Sequence, residues 1–115
     1  MSFDTSKIKL HGESVDVHHE DFLKGDLPAN LAKLADMLAT AKLDLERSEV
    51  LYRSWKATST NMIADKNPKW AAWRITAALE GEDMFLKYKE GICVQQHAVN
   101  VLQGVFEAVK GRLHQ

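Results

Sequence analysis

The sequence predicts a mainly α fold: a long antiparallel helical hairpin or three-helix bundle that carries a small N-terminal β-hairpin and oligomerises through its helices. Three observations predict it. Leu27, Leu31, Leu34, Leu38, Ala41, Leu45, Ser48, Tyr52 and Trp55 alternate spacings of four and three without a slip, the pattern of a coiled-coil-type seam. Phe85, Tyr88, Ile92, Gln95, Val99, Leu102, Phe106, Val109 and Leu113 repeat that pattern over a span of equal length. Ahead of both, KIKLHGESVDV alternates apolar and polar residues around a glycine, as two paired strands do.

A chain of 115 residues suits one domain with a modest core. It divides on paper into a head (1–26) and a helical body (27–115). In the head, Ile8 and Leu10 share one face, and Val15 and Val17 follow a turn placed at His11-Gly12-Glu13-Ser14. Two strands alone are marginal in water, so the hairpin must pack on the helices or pair with another chain's edge. HHEDFLKGD then reads as a short helical turn, with Phe22 and Leu23 free to dock on the body.

Asp26 suits the N-cap of the first long helix, with Leu27 and Pro28 in its first turn. That helix runs to about Asp65, and Asn67-Pro68 then turns the chain, because the residue before a proline avoids the α conformation. A short helix is expected from Pro68 to about Leu79 with Trp70, Trp73, Ala77 and Ile63 facing inward, and Gly81 ends it. The last helix, laid antiparallel to the first, sets Trp55 against Phe85, Ala41 against Val99 and Leu27 against Leu113. It carries a second apolar stripe, Val94, Ala98, Val101, Val105 and Ala108. One partner helix covers about one seam, so this stripe is the expected interface between copies of the chain.

Charge is unevenly spread. Residues 1–50 hold six cations and ten anions, and residues 51–115 nine and six, so a polyanion would meet the second half. The stretch from Tyr52 to Arg74 contains all three tryptophans, Trp55, Trp70 and Trp73, with Arg53, Lys56, Lys66, Lys69 and Arg74 against the single anion Asp65. Rings that stack on bases beside cations that pair with phosphates suit a single-stranded nucleic acid. The expected binding residues are Arg53, Lys56, Lys66, Lys69, Trp70, Trp73 and Arg74. Lys66, Lys69 and Trp73 would cluster at the start of the short helix, where free N–H groups favour a phosphate. Tryptophans at helical spacing suit a core equally well, and for Tyr52 and Trp55 the end of the seam is the favoured place.

Other chemistry finds little footing. Cys93 is alone, which rules out an intramolecular disulfide or a cysteine zinc site and leaves it as a small buried hydrophobe in a reducing cytoplasm. His18 and His19 are adjacent, so in a strand they point to opposite faces and share no metal. Glu80, Glu82 and Asp83 read as caps of a helix start. The chain has no phosphate loop, nucleotide fingerprint or nucleophile elbow, so no enzyme, cofactor or metal is expected. It has neither a signal pattern nor a membrane-length apolar run.

The segment LYRSWKA, preceded by DLERSEV and followed by a basic middle helix and a long amphipathic C-terminal helix, resembles the phage recombination mediator family typified by UvsY. The likeness covers about residues 27–112, with Leu51, Tyr52 and Trp55 the closest local identities. It implies an all-helical, ring-forming, cytoplasmic protein that binds single-stranded DNA and helps load a RecA-like recombinase onto strands covered by single-strand binding protein. Arg74 occupies the first position of that family's DNA-contacting basic pair, and Thr76 stands at the second. Two other readings compete: a helical protein-interaction module recognised through acidic Asp36, Asp44 and Glu46, and a structural assembly protein.

Overall fold

In the computed structural model, which describes residues 5–115, the order of elements is β1 (Thr5–Leu10), β2 (Glu13–His18), α1 (His19–Phe22), α2 (Leu27–Lys66), α3 (Ala72–Glu80) and α4 (Asp83–Leu113). The first four residues of the head lie outside it. The expected mainly α architecture with a two-stranded antiparallel hairpin is what the chain adopts. It packs as two compact units: one joins the head and the chain up to Leu45 with Val94–Gln115, and the other is Glu46–Cys93. The division therefore does not separate head from body. Both α2 and α4 contribute to both units.

In the first unit the strands pair with Ile8 opposite Val15 and Leu10 opposite Glu13. The turn is shorter than the four residues expected. His11 (φ 51°) and Gly12 (φ 80°) both lie in the left-handed region, as a two-residue type I′ turn requires, so Glu13 and Ser14 already belong to β2. Ile8 and Val17 are buried, and they join Leu34, Leu38 and Ala41 of α2 and Ala98, Leu102, Val105 and Val109 of α4 in one core. Phe22 and Leu23 pack against it, as expected. At the entry to α2, Asp26 Oδ1 accepts the Ala29 N–H at 3.1 Å, which satisfies one of the free donors of the first turn.

This packing corrects the expected interface at two of its five positions. Ala98 and Val105 are 0% and 1% exposed and belong to the chain's own core, Val101 and Ala108 are half-buried, and Val94 alone of the five is exposed. Ala98 and Val105 of the stripe join Leu102 and Val109 of the seam in the same core as the strand residues Ile8 and Val17. Nothing in the sequence alone places strand and stripe in one core. Both seams otherwise face inward as expected: no member of either is exposed. Gln95, the polar member of the second seam, is half-buried, and its Oε1 has no hydrogen-bond partner among the described residues. Cys93 is exposed rather than buried, because it lies one position beyond Ile92 and so off the seam.

Candidate nucleic-acid interface

The second unit holds all seven of the expected binding residues. Four half-buried rings gather in it. Trp55 and Tyr88 have ring centroids 5.3 Å apart, and Tyr52 lies 6.3 Å from each of Trp55, Phe85 and Tyr88, within the range of favourable ring pairs. Lys89 Nζ sits 4.7 Å from the centroid of Tyr52, closing the cluster with a cation on a ring face. Tyr52 and Trp55 thus end the first seam, and Tyr88 rather than Phe85 is the ring against Trp55.

Arg53 and Lys56 point away from that cluster. They are exposed and line one shallow groove with Ala57, Thr60 and Asn61. The positions fall at intervals of three and four, so they are one face of α2. Thr60 and Asn61 add hydroxyl and amide groups that the distribution of charge does not reveal; the helical spacing from Arg53 was the available signal. Lys66 lines a different depression with Ser59, Met62, Ile63 and Glu82. There the carboxylate of Glu82 offsets part of its attraction for an anion.

The bend after α2 differs most from expectation. Asn67 closes the helix, its N–H bonding to Ile63 O and Ala64 O at 3.1 and 3.2 Å and its Nδ2 to Ile63 O at 3.0 Å. Pro68 then forces a turn in which the Trp70 N–H bonds back to Asn67 O at 3.0 Å. Ala71 remains extended (φ −69°, ψ 156°), and α3 begins only at Ala72, four residues later than the sequence suggested. Lys66 therefore ends α2 and Lys69 sits in the turn, so neither is part of the α3 start as expected.

Ile75, Ala78 and Leu79 face inward, Leu79 being 2% exposed, while Trp73 and Ala77 face solvent and Trp73 is 73% exposed. The inward orientation expected for Trp73 and Ala77 is thus corrected: Ile75, Ala78 and Leu79 supply the inward face of α3 instead. Trp70, ahead of α3, is half-buried, and the guanidinium carbon of Arg74 lies 4.3 Å from its ring centroid. Arg74 and Trp70 form one composite surface in which cation and ring already touch. Lys69 and Arg74 are exposed.

The expected residues thus fall into local arrangements within one unit: Arg53 with Lys56, Lys66 in its own depression, and Arg74 on Trp70, with Trp73 and Lys69 on the surface of the same bend. Such an arrangement offers unpaired bases a ring face and phosphates several point charges. The acidic alternative loses one member, because Asp44 is buried and engaged by His11. Compared with family models, with curated proteins and with solved structures, the chain has no match in any of the three. No helix among the described residues is long and apolar enough to cross a membrane.

Proposed function

We propose that this chain is a non-enzymatic single-stranded DNA-binding protein that assembles through its helices and acts in phage recombination as a mediator loading a RecA-like recombinase. One observation carries the reading. Trp73, the most exposed of the large apolar side chains among the described residues at 73%, follows Lys69 in the same bend and adjoins in sequence Arg74, whose guanidinium covers the ring of Trp70. Base stacking on such a ring tolerates any sequence, and the cations take up the backbone. The resemblance to the mediator family supplies the recombinational setting and the recombinase and single-strand binding protein as partners.

The test is titration of a short labelled oligonucleotide followed by anisotropy and tryptophan fluorescence. Binding that quenches tryptophan emission and weakens steeply with salt supports the reading, since phosphate neutralisation releases counterions. No binding at about 50 mM salt, where such contacts are strongest, ends it. A protein-interaction module is the second reading. It is favoured by Leu51 and Leu86, both 60% exposed, and capture of a protein partner by Leu51→Ser/Leu86→Ser-sensitive contacts, without nucleic-acid affinity, would place it first.

A further inference from the structure

We propose that Glu46–Cys93 opens as one cooperative unit while the rest of the chain stays folded, the break falling at the polar members of the two seams. The inference goes beyond the reading above and does not depend on nucleic acid. Its ground is the uneven spread of apolar burial. Of the ten buried apolar side chains among the described residues, nine lie in the first unit and Leu79 alone in the second. Yet the second unit spans 48 of the 115 residues, so its share of the burial falls far below its length. Exposed apolar side chains run the other way. Six of the eight large ones among the described residues belong to the second unit, with Leu51 and Leu86 at 60% and Trp73 at 73%.

Removal of apolar area from water is the main favourable term in folding, so a unit that removes little holds its helices weakly. Those helices need holding. α3 has nine residues, below the ~12–15 at which an isolated helix is even marginal in water. Apart from Leu79, the cluster that closes this unit is made of the rings of Tyr52, Trp55, Phe85 and Tyr88, every one of them half-buried. In the first unit Leu34, Leu102 and Val109 are 0% exposed, and strands and helix segments share one core. Segments with few buried apolar groups are the ones that open locally, and they do so in contiguous cooperative pieces.

The seams mark where the opening stops. Ser48 and Gln95 are their polar members, and each lies within three residues of a division between the units, after Leu45 and after Cys93. Successive layers of a seam are coupled through apolar burial, and a polar layer weakens that coupling. Gln95 adds a penalty to the closed state, because its Oε1 is buried without a hydrogen-bond partner among the described residues. All seven residues of the candidate interface lie in the unit that opens. A ligand held by the closed form therefore suppresses the opening as its concentration rises.

The test is residue-resolved amide hydrogen exchange on the full chain without ligand, in rising urea below the unfolding transition. Helix-interior amides of 46–93 should share one opening reaction, with protection at least about tenfold lower than in 30–45 and 94–109 and a smaller dependence on urea, because less surface is exposed. Equal protection in the two units overturns the proposal, as does lower protection in the first. A scatter of unrelated rates and urea dependences within 46–93 overturns it too, because it means fraying rather than a unit. Leu102→Ala supplies the second arm. It should quicken exchange in 30–45 and 94–109 by at least about 30-fold and that of 46–93 far less, so that the gap narrows. Acceleration by one common factor throughout the chain means a single cooperative fold and overturns the proposal. Should Leu102→Ala lose its helical circular dichroism, Val109→Ala, a smaller cut in the same core, takes its place.

Discussion

Replacing Trp73 with alanine separates the stacking platform from the fold. Because the side chain is 73% exposed, its removal takes little apolar area out of the core, and surface changes of this kind shift stability by about 0.5 kcal/mol or less. Its loss from a stacking site costs about 1–3 kcal/mol per base, a weakening of roughly 5- to 150-fold in Kd. Fluorescence titration with a short single-stranded oligonucleotide reads both affinity and stacking, since quenching by stacked bases should fall with affinity. Denaturant unfolding supplies the stability. Unchanged affinity and quenching in Trp73→Ala would refute the platform, and a collapse of stability would show that the ring belongs to a core. Alanine at Trp55 should behave oppositely. That ring packs half-buried against Tyr88 and Tyr52, so its loss should cost about 1–3 kcal/mol of stability.

The remaining predictions concern charge, core and turn. Lys66→Ala/Lys69→Ala should weaken oligonucleotide binding evenly across sequences and flatten the plot of log affinity against log salt by about 0.7 for each phosphate no longer neutralised; an unchanged slope rules these lysines out as phosphate ligands. Leu102→Ala empties a fully buried site and should lower unfolding free energy by about 2–5 kcal/mol in urea titration, whereas a change below about 1 kcal/mol would contradict the packing described. Gly12→Ala places a Cβ at φ 80°, at a cost of about 1–2 kcal/mol. That cost should appear as faster exchange of the β1 and β2 amides, and unaltered exchange would exclude the type I′ turn.

Both long helices were legible in the sequence because each writes its buried face as an unbroken alternation of threes and fours, and tertiary packing reinforces that signal. The hairpin was legible for the same reason at period two. Its turn was not. A histidine ahead of glycine is a weaker sign of a type I′ turn than asparagine, and His11 holds φ 51° beside the grip of Asp44. The start of α3 was misplaced because proline is tolerated in a helix's first turn, so Pro68 reads equally as a beginning and as part of a preceding turn. Asn67 decides between them: its amide bonds backward to Ile63 O and assigns the proline to the bend. That one ambiguity moved the helix start by four residues and left Lys69 and Trp70 in the bend; the orientation of Trp73 was hidden separately, because Ile75, Ala78 and Leu79 form an equally apolar face. The burial of Ala98 and Val105 was hidden for a different reason. An apolar stripe does not say whether its cover comes from the same chain or another, and only the assembled core, which holds both residues, decides it.

The exposure of Trp73 is informative because folding alone gives no reason for it. A tryptophan side chain buries about 150–250 Å² in a core, and at about 25 cal/mol per Å² an orientation that leaves most of the ring in water forgoes about 3–4 kcal/mol. The other two tryptophans recover part of that energy: Trp55 against Tyr88 and Tyr52, and Trp70 beneath Arg74. Local choices that disagree with the rest of a fold concentrate at functional sites. Leu51 and Leu86 disagree with it as well, at 60% exposure, but they lie on α2 and α4 where the pattern of the neighbouring seam already sets their direction. Trp73 differs in being the one aromatic residue of a nine-residue helix, on its exposed side, after a cation-rich bend. A large ring there, with Lys69 and Arg74 beside it in sequence, is what the proposed stacking of unpaired bases requires.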